Sequence, residues 1–371
     1  MWNSETTYGL EQGRRRELSF LASIARRALR PLPARRRLSL ALQGGGSFGA
    51  FTWGVLDNLL ERDACALDSV SGASAGAVNA VVLADGLARG GPEEARAHLE
   101  RFWKRVSNSA PFSGLGSKEA DAAALAGLDL LVHVFSPYQL NPLGLNPLRD
   151  ILAEEVDFER LRSDSPVRLL IAATRVKDGR ARIFRESELT VEAVLASACL
   201  PLLQPAVEIE GEQYWDGGYS ANPPLRPLVA ASTASDILLV RITPQQQPDL
   251  PLRASEIARR TSQIAFNNPL EKELEALADL SRLCKKEGPF RSRLCDKLRR
   301  LHLHVICAER AVEGLNHANA LSLDWPFLIR LKEGGRRAAA NWWDRNERRQ
   351  RTERRRSDSS TGLPIPAEQP A

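Results

Sequence analysis

Gly72-Ala73-Ser74-Ala75-Gly76 places one serine between two glycines, straight after a short apolar run and straight before a small-residue helical stretch. A strand-to-helix elbow of this kind projects the serine from the top of a sheet, and the flanking Gly72 and Gly76 let the turn close without Cβ clashes. A helix that begins just after Ser74 aims its N–H groups and the positive end of its dipole at charge developing there. Upstream, Gln43-Gly44-Gly45-Gly46-Ser47-Phe48-Gly49 follows Leu38-Ser39-Leu40-Ala41-Leu42, an apolar run that reads as a buried strand. Consecutive glycines leave backbone N–H groups uncovered, which suits the stabilisation of an oxyanion by Gly45 and Gly46, with Gly44 a third candidate. Downstream, Tyr214-Trp215-Asp216-Gly217-Gly218-Tyr219 sets an acid at the end of a short strand, where Gly217 and Gly218 turn the chain away. A nucleophilic hydroxyl, a carboxylate and backbone donors together are the parts of acyl transfer.

Each motif has a plainer reading. G-x-S-x-G arises by chance in a chain with 25 glycines, and Asp-Gly-Gly alone is a turn. Gly44-x-Gly46-x-x-Gly49 after a strand also matches a dinucleotide-binding fingerprint, with Asp68 at about the required distance. Asp68, however, starts the Asp68-Ser69-Val70-Ser71 run, and the serine elbow occupies that run's end. A Ser-His-Asp triad is a further alternative. Its chain order would be met by Ser74, Asp216 and then His302, His304 or His317. His302 and His304 alternate within an apparent strand, Leu301-His302-Leu303-His304-Val305-Ile306, and read as one polar, partly solvated face. Only His317 has a loop setting. His98 and His133 lie in helical, apolar surroundings without an evident partner.

The three motifs in this order resemble the patatin-like phospholipase family. The resemblance runs from about Leu38 to about Pro224 and includes Ala196-Ser197-Ala198-Cys199-Leu200-Pro201, similar to that family's helix leading to its Asp strand. It implies a three-layer α/β/α fold with a central, mostly parallel sheet. It also implies cleavage of acyl esters by a Ser74–Asp216 dyad without histidine, metal or organic cofactor. The family commonly carries Arg or Lys before the last glycine of its loop; this chain has Phe48, which bears on head-group preference more than on hydrolysis. A fold that keeps lipid binding and has lost activity is the alternative from another class, and the intact Ser74 and Asp216 speak against it.

The elements that must position these groups alternate. A strand is expected at 38–43, a helix over about 48–62, a strand near 67–71, a post-serine helix to about 88 and another around 92–106. Residues 110–147 break the rhythm with an apolar insertion, read equally as a lid or as an extra packed helix. Strands return at 167–174 and about 180–185, then a helix at 190–198, the Asp216 hairpin and a strand at 236–242. The region 252–300 reads as mostly helical, 301–307 as the last strand, and about 326–350 as an Arg-rich helix. The resulting organisation is a basic arm at 1–37 with a short amphipathic helix, a catalytic domain at 38–350 (motifs within 38–224, remainder 225–350), and a disordered tail at 351–371.

Net charge is +5, but it is segregated. Residues 1–37 hold nine Arg against three Glu, residues 330–356 hold eleven Lys or Arg against four acids, and the body between is acidic. Basic flanks suit an anionic membrane surface; no aromatic-interleaved or groove-reading motif points to nucleic acid. The five cysteines (Cys65, Cys199, Cys284, Cys295, Cys307) show no C-x-x-C pair and no metal spacing and read as buried or free thiols of a reducing compartment. Arg26, Arg27 and Arg30 interrupt the first apolar run, so no secretory leader is expected. A cytoplasmic protein, peripheral at the inner face of a membrane, is the resulting expectation.

Overall fold

The computed structural model describes residues 37–109, 136–141, 145–245, 250–286, 293–312 and 320–360. The chain begins with β1 (Arg37–Leu42), a 3₁₀ turn at Gly46–Phe48, α1 (Gly49–Arg62), β2 (Ala66–Gly72) and α2 (Ala75–Asn108). The expected break between two helices is present inside α2, where Gly90 and Gly91 leave helical geometry just before Pro92. Short helices α3 (Pro137–Leu140), α4 (Pro147–Glu155) and α5 (Phe158–Asp164) lead to β3 (Arg168–Arg175), β4 (Ala181–Arg185) and α6 (Val191–Ser197). The hairpin of β5 (Val207–Ile209) and β6 (Glu212–Asp216) follows, then α7 (Leu225–Ala231), β7 (Asp236–Arg241), α8 (Ala254–Lys286), α9 (Arg293–Arg300), β8 (His302–Cys307) and α10 (Trp325–Ser360).

The sheet order is β5-β6-β3-β2-β1-β7-β8, with β4 also paired to β3. The ladders joining β3, β2, β1, β7 and β8 are parallel, while β4 and β6 run antiparallel to β3 and β5 antiparallel to β6. Side-chain alternation sorts the central strands into two faces. Leu38, Leu40 and Leu42 of β1, with Leu238 and Val240 of β7, pack on α1, α2 and α10. Ala41, Ile237 and Leu239 point the other way, onto α7, α8 and α9. Strands buried on both faces explain the near-continuous apolar runs, and the result is a three-layer α/β/α domain with a mostly parallel sheet.

Three expectations change. Helix α10 continues to Ser360, so residues 351–360 are helical where composition predicts a disordered tail; an Arg-rich run is compatible with helix, since Arg is a good helix former. Cys284 and Cys295 form a disulfide between the end of α8 and α9, with Cα atoms 5.1 Å apart. The reading of all five cysteines as free thiols is corrected, and with it the cysteine argument for a reducing compartment; Cys65, Cys199 and Cys307 remain free. His304 is buried rather than on a partly solvated face. The N-terminal helix, His133, His317, residues 361–371 and most of the 110–147 insertion lie outside the described residues. Among the described residues no helix is long and apolar enough to cross a membrane.

Candidate active site

Ser74 stands between β2 and α2, as the residue that caps α2, with φ at +53° and ψ at −127°. A non-glycine residue there is strained, and such strain persists only where the surroundings impose it. They do so through close backbone packing. A Cβ on Gly76 would run into the Leu42 carbonyl of β1, and one on Gly44 would meet the Ala73 carbonyl oxygen at 2.6 Å and the Ser74 Cβ at 2.7 Å. The glycine loop therefore lies directly against the serine. The Ser74 N–H donates to both the Ser197 carbonyl (3.1 Å) and Ser197 Oγ (3.0 Å), pinning the elbow to the end of α6. Gly72 closes β2 in register with Leu42 and Ile171.

Asp216 ends β6 opposite Ala173 of β3, one strand away from β2. The same α6 segment anchors it, because the Asp216 N–H donates to the Cys199 carbonyl at 2.8 Å. Its carbonyl accepts from Thr174 Oγ1 at 2.7 Å. Gly218 donates its N–H to Oδ1 at 2.8 Å, and Gly217 begins the turn beside Ala172. Oδ2 is buried and has no hydrogen-bond partner. Burial pushes the carboxyl up to about 7, against the lowering influence of the Gly218 N–H and the Ser74 side chain. The Ser74 hydroxyl thus lies within hydrogen-bonding influence of the carboxyl, in a contact looser than standard geometry, as is common in unliganded sites.

Among the described residues, the N–H groups of Gly45 and Gly46 donate to no protein acceptor, nor does that of Ala75, the first residue of α2. The N–H of Gly44, the third candidate, instead donates to Asn222 Oδ1 at 2.7 Å. Phe48, standing where the family commonly has a cation, is buried and meets the Phe327 ring of α10 edge-on at 6.5 Å. The loop is anchored there by apolar packing. Nearby Cys199 is held neutral, its thiol raised to about 12 by burial and then by Asp216. The described histidines are elsewhere. His304 bonds Asp236 at 3.0 Å toward the opposite edge of the sheet. His98, for which the sequence suggests no partner, lies buried between Asp85 (3.3 Å) and Glu155 (3.4 Å).

Residues 40–229 match the family described as Patatin-like phospholipase. The chain belongs to that family. Among curated proteins, it is 27% identical to YjjU, an uncharacterized protein of Escherichia coli K12, over 228 residues, which cover 61% of this chain and 57% of that one. The match thus spans little more than half the length of that relative. Among solved structures the chain is similar to VipD from Legionella pneumophila (15% identity, TM-score 0.37, 85% of this chain and 67% of that one). It is also similar to the type III effector ExoU (16% identity, TM-score 0.36, 85% and 54%).

Sequence reasoning misses Ser197, Thr174 and Asn222. Asn222 lies in Ala221-Asn222-Pro223-Pro224, which reads as an ordinary turn; its reach to Gly44, 178 residues away, has no local signal.

Proposed function

We propose that this chain is a lipid acyl hydrolase using a Ser74–Asp216 dyad through an acyl-enzyme. The observation that carries the reading is a serine held at φ +53° against a glycine loop, with a buried carboxylate oxygen left unpaired. Ser74 Oγ attacks the ester carbonyl and its proton passes to Asp216 Oδ2. Negative charge on the former carbonyl oxygen is taken by the Gly45 and Gly46 N–H groups. Collapse of the tetrahedral intermediate returns the proton to the departing alkoxide. Water then attacks the acyl-Ser74 ester, giving its proton to Asp216, and collapse of this second intermediate breaks the acyl–Oγ bond, releases the fatty acid and returns the proton from Asp216 to Ser74 Oγ. A carboxylate is a weak base for an alcohol, so the donors carry much of the stabilisation, and losing one typically costs ~3–4 kcal/mol. A pKa of about 7 brings the base nearer its task at neutral pH.

Support for a lipid substrate comes from the surface beside the site. Phe266 of α8 meets the Tyr219 ring at 5.6 Å, so the first half of α8 flanks the Asp loop. The exposed residues described there include Ile257, Ala258, Thr261, Ile264 and Ala265. Arg260, on the same stretch, folds back onto Gln245 and Gln263. Leu250 and Leu252 precede them at 79% and 78% exposure. Acyl-chain release from phospholipids, lysophospholipids, triglycerides and short nitrophenyl esters tests the reading; turnover of none by wild type, or equal turnover by Ser74→Ala, would contradict it. The basic flanks at 1–37 and 330–356 extend the proposal to anionic membrane surfaces. Vesicle binding should then weaken as the Debye length shrinks from ~10 Å at 0.1 M salt to ~3 Å at 1 M; salt-independent binding would remove that extension.

A further inference from the structure

We infer that Asn222 is a positioning residue for the oxyanion loop, locking that loop to the turn that carries the catalytic base. The inference rests on Ser74 being the nucleophile. Asn222 is fully buried, six residues after Asp216 on the same turn, where Ala221 donates its N–H to the Gly217 carbonyl at 2.8 Å. Its Oδ1 accepts the Gly44 N–H at 2.7 Å, and its Nδ2 donates to the Phe266 carbonyl of α8 at 3.3 Å. Gly44 is the loop residue packed so close that a Cβ on it would lie 2.7 Å from the serine's Cβ.

The preceding residue is held in its turn. Gln43 Oε1 accepts the Ile242 N–H (2.8 Å) and the Thr243 N–H (3.1 Å), and Gln43 Nε2 donates to Asn267 Oδ1 at 3.3 Å. Two buried carboxamides thus fix residues 43 and 44, while the next two glycines keep their N–H groups open. Capturing the Gly44 N–H fixes the plane of the Gln43–Gly44 peptide and so the point from which the chain enters the two glycines whose donors stay open. Because Asn222 and Asp216 share one turn, base and oxyanion loop keep a fixed separation. Preorganised donors act through orientation, so misplacing them lowers turnover more than substrate affinity.

The test compares full-length wild type, Ser74→Ala, Asn222→Ala and Asn222→Asp on a soluble nitrophenyl ester. An alkyl boronic acid, which forms a tetrahedral adduct with a serine, serves as probe, and folded fraction is measured by circular dichroism. Asn222→Ala should lower kcat ten- to hundredfold with KM within threefold of wild type, and weaken boronate binding by a similar factor. Asn222→Asp keeps an oxygen for the Gly44 N–H and should bind boronate to within threefold of wild type. Wild-type kcat and boronate affinity in Asn222→Ala would overturn the inference. So would equal weakening in both variants, or failure of both to fold, since Asn222 would then serve the fold as a whole. An inactive wild type that also ignores boronate contradicts the nucleophile itself; an active wild type with a dead Ser74→Ala and a fully active Asn222→Ala contradicts only the role of Asn222.

Discussion

Ser74 and Asp216 sit at the ends of β2 and β6; toward the opposite edge of the sheet, Asp236 holds His304 at 3.0 Å, and Ser39 of neighbouring β1 bonds Ser232 at 2.8 Å. Both regions are buried, and by residue type the second is as well supplied, with an aspartate and a histidine in contact on one face of the sheet and a serine pair on the other. What separates them is the backbone around them. Asp236, His302 and His304 lie in regular β7–β8 pairing, and Ser39 lies within β1, so the main chain there serves the ladder. Ser232 Oγ is occupied by Ala234 as well as by Ser39. Around Ser74, the strand has ended, the serine is strained, a helix N-terminus begins and glycine N–H groups are unoccupied. On the proposed function, reactivity would follow from unpaired donors and an unpaired carboxylate oxygen placed at strand ends, which side-chain inventory alone does not reveal.

The comparison breaks most sharply by removing the reacting groups. Ser74→Ala and Asp216→Asn are each expected to lower ester hydrolysis by ~10³-fold or more while the fold survives, by analogy with removal of one member of a hydrolytic triad. Residual activity above a tenth of wild type in either folded variant would end the dyad reading.

Acidity sharpens it next. Asp216 must be ionised to act as base, so kcat/KM should rise with pH through about 7 and level off above it. The same shift predicts a stability effect of opposite sense. Burial favours the protonated carboxyl in the folded chain, so between pH ~4 and ~7 the unfolded chain has lost a proton that the folded chain retains. Stability is therefore lost as pH rises across that window. Asp216→Asn should abolish the loss and be more stable than wild type at pH 8, by up to ~4 kcal/mol at 1.36 kcal/mol per unit. A urea titration showing equal or lower stability of the variant at pH 8 would contradict the buried, destabilised base.

How far these sites are legible in the sequence differs with the physics behind each part. The Ser74 elbow, the glycine loop and Asp216 are readable because glycine spacing and apolar runs are local, and the alternation of elements locates β1, β2, β3 and β7 within a residue or two. Asn222 and Ser197 are not, because their hydrogen bonds span 178 and 123 residues. The Cys284–Cys295 bridge is hidden for a related reason: an eleven-residue spacing signals pairing only once α8 and α9 are known to lie side by side. The histidines at 302 and 304 mislead, since period-two spacing gives a face but not what covers it, and Trp342 of α10 lies 5.3 Å from the His304 ring.

Smaller effects test the Asp236 cluster and the rim of the site. His304→Gln should cost ~1–3 kcal/mol of stability by disturbing the buried Asp236 contact, with kcat per folded molecule unchanged; a hundredfold fall in kcat would move catalysis to that cluster. Replacing Ile257 and Ile264 together by Ser should lower hydrolysis of vesicle lipid three- to tenfold and leave a soluble ester untouched. Equal rates on vesicles would show that the α8 face does not engage lipid.

The central claim is that Ser74 itself carries the acyl group. Rapid quenching of wild type with a short nitrophenyl ester, followed by peptide mass spectrometry, measures this directly. The account predicts the acyl mass on the peptide containing Ser74, and on no peptide of the Ser74→Ala protein. Steady turnover with no acyl adduct, or with the adduct on any other residue, would contradict it.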